Sequence, residues 1–248
     1  MRPSEPARRG MTDAAVAGAG IVEAAIVARA AEVRARLDQV RDPELDEPVT
    51  AMGFIQAIEV SGGSVGVTFQ LPTAWCAANF AFLMAVDMKS AVAALPWVTS
   101  VEIVLLEHFA ARRINEAVGQ DLSFVAAFPQ KAEGELDDLR QTFLEKAFLA
   151  RQFAVLDALS KPVAASAADW SIADLEHRAA ESEALGAAVA RYLALRRPLP
   201  GRRAFVTAGG DVVAAADWPV HLREIRRTAM TLAANAEHCR VLAEARSA

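Results

Sequence analysis

In the first hundred residues, the spacing of hydrophobic side chains is typical of a helix up to residue 40 and typical of strands directly after it. Residues 21–40 place apolar side chains such as Ile26, Val33 and Leu37 at helical spacing, which predicts a helix. We expect the helix to end before Pro43, because proline disfavours helical backbone in the residue that precedes it.

A β-hairpin is predicted next. Residues 55–60 are rich in β-branched side chains, residues 65–71 alternate apolar with smaller or polar side chains, and Ser-Gly-Gly-Ser at 61–64 lies between them. A helix over 77–95 and a strand over 98–106 follow. The order helix, strand, strand, helix, strand predicts an α+β fold, with a small mixed sheet and helices on one face.

The second half of the chain shows mainly the helical period. The pattern predicts amphipathic helices over 133–159, 172–195 and 220–245. Residues 204–213, with two glycines between apolar runs, are compatible with a short hairpin. We therefore predict a mainly helical C-terminal region, without an internal repeat.

These patterns divide the chain into four parts. We predict a flexible N-terminal extension over 1–23, an α+β domain over 24–110, a linker over 111–130 and a mainly α-helical domain over 131–248. The Ala-rich start imitates a signal peptide, but charged residues interrupt it, and Met11 is an alternative start.

Composition narrows the class of protein. With 54% hydrophobic residues the chain can bury a core, and a formal net charge of −5 gives no basic surface for nucleic acid or an anionic membrane. Cys76 and Cys239 are the only cysteines, which excludes a disulfide framework and a zinc knuckle. We expect a protein of a reducing, cytoplasmic compartment whose partners are proteins or small molecules.

Four short motifs occur in a fixed order in the first domain. They are Asp42-Pro43-Glu44, Met52-Gly53-Phe54-Ile55, Leu71-Pro72-Thr73-Ala74-Trp75-Cys76 and Leu95-Pro96-Trp97-Val98. Together they resemble the iron–sulfur cluster assembly domain family of the PaaD/SufT type. Two positions depart from the family pattern: Ala77 stands where proline often follows the cysteine, and Trp97 stands where the family has glycine.

The resemblance implies an accessory factor rather than an enzyme. Such a factor serves the maturation of an iron–sulfur or metal centre in a client metalloenzyme, with Cys76 as a transient ligand of iron or an iron–sulfur cluster. The helical half resembles long bacterial members associated with multicomponent di-iron monooxygenases, which suggests such an enzyme as client. The implied partners are the client and the iron–sulfur assembly machinery, and a homodimer would pool two thiolates.

The cysteine and its supporting residues each have a second interpretation. Cys76 is predicted where a strand gives way to a helix, whose N-terminus favours a thiolate, but a free cysteine is often only a small buried hydrophobe. Asp42 and Glu44 are hard oxygen ligands or caps of a turn. Thr73 is a candidate N-cap of the helix after the cysteine, and it would orient the thiol.

Trp75, His108 and the pair His238-Cys239 complete the candidates. Trp75 is either a core residue or a docking anchor beside the thiol. His108 ends the last strand of the sheet, and it is a ligand candidate or an ordinary hydrogen-bonded histidine. His238 and Cys239 point about 100° apart on a helix, so they cannot chelate one ion by themselves.

Enzymatic motifs are missing from the sequence. It contains no Gly-x-Ser-x-Gly, phosphate loop, Gly-x-Gly-x-x-Gly or His-Glu-x-x-His. A metal-free adaptor or folding chaperone with an inert Cys76 is the main alternative to a metal carrier. A cysteine-dependent hydrolase or transferase is a third hypothesis, for which no specific motif exists.

Overall fold

The structure is a computed structural model that describes residues 13–130, 135–159, 164 and 166–247. The strands are β1 (Arg41–Asp42), β2 (Glu47–Pro48), β3 (Ile55–Ser61), β4 (Ser64–Gln70) and β5 (Ser100–Leu106). The α-helices in the described ranges are α1 (Asp13–Leu37), α2 (Ala78–Ala93), α3 (Ala111–Gly119), α4 (Phe124–Ala127), α5 (Glu135–Asp157), α6 (Ile172–Arg178), α7 (Glu183–Arg196) and α8 (Trp218–Ser247).

The main sheet has three strands in the order β3-β4-β5. β3 pairs antiparallel with β4, and β4 pairs parallel with β5, so the sheet is mixed as predicted. The hairpin between β3 and β4 closes with Gly62 and Gly63 between the paired residues Ser61 and Ser64. Gly62 has a φ of 59°, which favours glycine at this position.

The first core lies between this sheet and helices α1 and α2. Its buried residues include Val33 and Leu37 of α1, Val65, Val67 and Phe69 of β4, Met84, Met88 and Val92 of α2, and Ile103 and Leu105 of β5. Burial of each side chain of this size contributes roughly 1.5–3 kcal/mol. The alternating positions of β4 that predicted a strand are its buried positions, and the predicted α+β fold is confirmed.

Residues 111–130, for which we predicted a linker, form α3 and α4. Ile114, Val118 and Phe124 are buried in the first core. Ser123 caps α4, because its hydroxyl accepts the Ala126 N–H at 3.2 Å. The domain boundaries themselves stay a prediction, while residues 1–12 of the predicted extension lie outside the described part.

The second core is formed by α5, α6, α7 and the first half of α8. Its largest buried side chains include Phe148, Tyr192, Phe205 and Trp218. The C-terminal region is mainly helical, as predicted, and none of the described helices is long and apolar enough to cross a membrane.

One local prediction for this region was wrong, and another is only partly borne out. The helix predicted over 172–195 is interrupted, because Ser182 is extended and its side chain accepts the Leu185 N–H to start α7. The hairpin suggested for 204–213 is reduced to one isolated bridge between Val206 and Val212.

Helices α5 and α8 contact both cores and run antiparallel. Leu136 near the start of α5 packs on the first core, while Val155 near its end lies in the second. Along α8 the order is reversed, since Ile225 lies in the second core and Ala236 in the first. The C-terminal half of α8 therefore lies against the α+β domain.

Candidate functional site

Cys76 lies in the loop that joins β4 to α2. Its side chain is half-buried, so its sulfur is not sealed inside the first core. The residue precedes Ala77, the first flanking residue of α2, which makes no side-chain cap. The strand-to-helix junction predicted from the sequence is therefore present, with the cysteine two residues before the helix begins.

Thr73 is not the N-cap that we predicted for α2. The helix begins four residues later than a cap at Thr73 requires, at Ala78. The Thr73 hydroxyl instead accepts the Trp75 N–H at 3.2 Å and lies 3.5 Å from the Cys76 Sγ atom. Thr73 thus orders the loop and contacts the thiol directly.

The backbone at Cys76 is held by His108, which follows β5. The His108 Nδ1 atom accepts the Ala110 N–H at 3.1 Å, so Nδ1 carries the lone pair and Nε2 the proton. His108 Nε2–H therefore donates to the Cys76 carbonyl oxygen, at 2.7 Å. With both ring nitrogens engaged and the ring buried, His108 positions the loop and is not free to ligate an ion.

An exposed aromatic pair lies beside the cysteine. The rings of Trp75 and Phe109 stack with centroids 5.9 Å apart, and the two side chains are 80% and 59% exposed. The Phe109 N–H donates to the Ala74 carbonyl oxygen, which fixes the two loops against each other. Trp75 is therefore not a core residue, and the docking interpretation of the sequence stays open for it.

Asp42 is buried at the end of β1, directly before the turn that leads to β2. Its Oδ1 atom accepts the Glu44 N–H at 2.8 Å and the Leu45 N–H at 3.1 Å, so the predicted capping role is present. Burial raises the pKa of Asp42 to about 6, although both hydrogen bonds favour the carboxylate. The Asp42 carboxylate therefore lies in a position where water solvates its charge poorly.

The neighbouring acidic residues have different surroundings. Glu44 lines a cleft of about 200 Å³ together with Lys146 and Arg227. Asp46 is buried and binds Arg151 of α5 through two hydrogen bonds of 2.6 and 2.8 Å, so it ties the β1–β2 turn to the helical region. No motif in the sequence indicated this role of Asp46.

Cys239 of α8 is a candidate site residue to which the sequence patterns gave little weight. Its side chain is half-buried on the first core, whereas His238 is exposed, which agrees with their predicted divergence. Burial raises the pKa of Cys239 to about 11, and the charges of Asp42, Cys76 and Glu44 act in the same direction. Both cysteines, which lie 163 positions apart in the sequence, pack on the first core.

Within the described part of the chain, no group of three or more His, Cys, Asp or Glu side chains is arranged to hold a metal ion. The predicted residues Cys76, Thr73, Trp75 and His108 come together at one edge of the domain. Cys239 packs on the same core as Cys76. At this edge the Cys76 sulfur is a soft donor, and the described residues form no complete cage for a cation.

Comparison with known families decides the assignment of this domain. Residues 30–103 match the family described as iron-sulfur cluster assembly protein. The N-terminal domain is an iron–sulfur cluster assembly domain. No curated protein and no solved structure matches the chain. The match spans Cys76 and its loop but ends before His108 and well before Cys239, so the assembly domain proper contains only part of the edge described above.

The family places the protein in the maturation of iron–sulfur or other metal centres. Members of this family are usually accessory factors rather than catalysts. The long form with a helical C-terminal half, expected from the resemblance, agrees with the observed arrangement of α5 to α8.

Proposed function

We propose that the protein is a cytoplasmic accessory factor that delivers iron or an iron–sulfur unit to a client metalloenzyme, with Cys76 as transient ligand. The observation that carries this proposal is the position of Cys76 within the matched domain, half-buried in a loop whose backbone is held by His108. Thiolates bind iron and iron–sulfur units well, and a site with few protein ligands can release its cargo.

The exposed aromatic pair supports a docking role beside the cysteine. Large exposed aromatic side chains are typical anchors of protein interfaces, and Trp75 with Phe109 is held rigidly by stacking and by the Phe109–Ala74 hydrogen bond. A client that covers this pair would bring its own ligands close to Cys76. Transfer would then take place within the docked complex.

The proposed partners are the client and the iron–sulfur assembly machinery. A multicomponent di-iron monooxygenase, or its iron–sulfur reductase, is the proposed client, on the strength of the resemblance of the helical half. A homodimer would bring two Cys76 thiols to one site, which is one way to supply a second thiolate.

Co-expression of a multicomponent di-iron monooxygenase with this protein tests the carrier role of Cys76. We expect Cys76→Ala to lower iron per purified monooxygenase to the level obtained without the factor, while the variant still co-purifies with the enzyme. Equal iron loading with wild type and Cys76→Ala would reject the carrier mechanism. Loss of soluble monooxygenase at unchanged iron per molecule would instead support the metal-free adaptor.

A second pair of variants tests the docking surface. Trp75→Ala should weaken co-purification of the monooxygenase, because it removes the most exposed large side chain beside the cysteine. Val212→Ala is the matched control, since Val212 is 63% exposed but belongs to the helical region. Equal co-purification with both variants would remove the aromatic pair from the proposed interface.

A further inference from the structure

One face of α8 carries a regular stripe of inward-facing residues. The members of the stripe, each seven positions after the last, are Trp218, Ile225, Leu232, Cys239 and Arg246. Seven residues are close to two turns of an α-helix, so these side chains lie along the same face. The position of Cys239 is therefore fixed by its neighbours on the stripe.

Residues of α8 on either side of Cys239 contact the rest of the protein. Leu232 is buried on one side of it, and Arg246 donates a hydrogen bond to the Leu71 carbonyl oxygen on the other. Ala236, one turn before Cys239, is buried in the first core. Leu71 begins the loop that carries Cys76, so the stripe brings Cys239 against the same edge of the assembly domain.

A further contact places α8 beside the β1–β2 pair. Arg240 pairs with Glu47 of β2 at 3.9 Å, and Glu47 is the register partner of Asp42 in β1. Cys239 directly precedes Arg240 and lies two turns before Arg246, and it packs on the first core, as Cys76 does. The pKa of Cys239 is raised by burial and by the charges of Asp42 and Cys76, while the side chain of the adjacent His238 is exposed.

We propose that Cys239 is the second sulfur ligand of the Cys76 site, so that one chain binds a thiolate-preferring divalent cation such as Fe²⁺ through two thiolates. Binding forms two metal–sulfur bonds and releases one proton from each thiol that was protonated. The structure provides no third protein ligand among the described residues, so the other coordination positions are left to exchangeable ligands. A client could occupy these positions during transfer.

This inference rests on the proposed function and adds the helical region to the site. The second thiolate comes from the same chain, by way of α8, and no homodimer is needed to pool two Cys76 thiols. The matched family segment ends at residue 103, so it does not contain the second ligand. The C-terminal half thus completes a site that the assembly domain begins.

Titration with Cd²⁺ under reducing conditions measures the number of sulfur ligands through the ultraviolet charge-transfer band of cadmium–thiolate bonds. We expect wild type to bind one Cd²⁺ per chain, with the band of two thiolates. Cys76→Ser and Cys239→Ser should each halve the band and weaken binding by more than about tenfold, since even partners outside the ligand set contribute that much. His238→Ala is the matched control, because its side chain is adjacent but exposed.

The alternatives give different results in the same titration. A dimeric site built from two Cys76 thiols would bind one Cd²⁺ per two chains, and Cys239→Ser would leave it unchanged. That outcome would overturn the inference while leaving the Cys76 carrier intact. Loss of binding in His238→Ala would also overturn it. If iron loading of the monooxygenase is independent of Cys76 but Cd²⁺ still binds both thiols, the proposed function fails and the two-sulfur site stands.

A metal-free measurement checks the geometry independently. Dibromobimane fluoresces only after both of its arms have reacted with thiols, so a fluorescent adduct at the mass of a single chain requires Cys76 and Cys239 to be close together. We expect this adduct in wild type and its absence in either cysteine variant. Folded wild type that reacts at each cysteine separately, without fluorescence, would refute the pairing.

Discussion

The buried polar residues of the two cores lie in different kinds of secondary structure. In the first core, Asp42, Asp46 and His108 are the buried polar residues among those described, at the end of β1 and in the segments after β1 and β5. In the second core, Gln152, Arg196 and His221 lie on helices and point into the interior. His108 of the first group holds the backbone of the candidate site, whereas the second group holds irregular backbone in place.

The polar side chains of the second core hydrogen-bond to loop backbone that lacks the hydrogen bonds of a β-sheet. Tyr192 donates to the Ala204 carbonyl oxygen at 2.7 Å, and Gln152 donates to the Val206 carbonyl oxygen at 2.6 Å. His221 lies 2.9 Å from Gln152, and burial lowers the pKa of this histidine. Because His221 is on α8, this network also anchors the helix that carries Cys239. The second region is therefore a scaffold for the first.

The largest effect should follow from removal of the buried guanidinium of Arg196. Its nitrogens donate to the carbonyl oxygens of Leu199, Pro200, Gly201 and Arg203, at 2.8–3.1 Å. Arg196→Met leaves these acceptors unsatisfied, and we expect a loss of about 3–5 kcal/mol in the free energy of unfolding, measured by urea titration. Arg197→Met, at an exposed position, should change it by less than about 0.5 kcal/mol. Similar losses in both variants would contradict a buried network as the scaffold.

The next largest loss of stability is expected for a substitution of Asp46, which links the two regions. Asp46→Asn weakens the buried pair with Arg151 but keeps a residue that tolerates the φ of 53°. We expect a loss of about 2–4 kcal/mol in the free energy of unfolding, because the arginine is left without its counter-charge.

Asp121→Asn is the matched control for Asp46→Asn. Asp121 has a φ of 54° and pairs with Lys89 at 2.6 Å, but its side chain is 79% exposed. An exposed pair contributes at most about 1 kcal/mol. Equal losses at the two positions would show that backbone conformation, not the link between the regions, sets the cost.

A substitution of Asp42 is expected to have a smaller effect and to raise the free energy of unfolding. Its pKa is raised from 3.8 to about 6, so the folded state prefers the protonated form, and this contribution to stability is lost as the pH rises through 6. Asp42→Asn keeps an acceptor for the Glu44 and Leu45 N–H groups but carries no charge. We expect it to be more stable than wild type by about 1–3 kcal/mol at about pH 8.

The pH dependence separates this cause from other effects of Asp42→Asn. Unfolding titrations of both proteins should converge toward about pH 4, where Asp42 becomes protonated in either state. A constant difference at all pH values would contradict the buried charge as the cause. Stabilisation at neutral pH would indicate that this carboxylate is retained for function rather than for folding.

The smallest effect on stability is expected at Trp75. Because the side chain is mostly exposed, Trp75→Ala should change the free energy of unfolding by less than about 1 kcal/mol. Phe54→Ala, which empties a position in the first core that is 1% exposed, should cost about 3–5 kcal/mol. A loss at Trp75 as large as that at Phe54 would assign the tryptophan a structural role and weaken its interpretation as a docking anchor.

The sequence predicted the local elements of the assembly domain well. Period-two alternation at Val65, Val67 and Phe69 marked the buried face of β4, because a strand places alternate side chains on opposite faces. Thr73 was a less successful prediction. A threonine three residues before a cysteine fits an N-cap pattern, but the loop contains extra residues before α2, and it contacts the segment that follows β5.

The motif order in the sequence also indicated the family, and the family match over residues 30–103 agrees with it. The seven-residue spacing from Trp218 to Arg246 was equally visible in the sequence, and it could have indicated that Cys239 faces inward.

Sequence patterns alone are sufficient to predict the period of most elements, the mixed α+β order of the first domain and the position of Cys76 between a strand and a helix. These follow from local backbone geometry, so neighbouring residues are sufficient to specify them. The fold was needed to show that His108 holds the Cys76 backbone and that α8 returns to pack Cys239 on the first core. Such contacts depend on how distant segments pack and on where buried charges find partners, and no single segment of the chain encodes either.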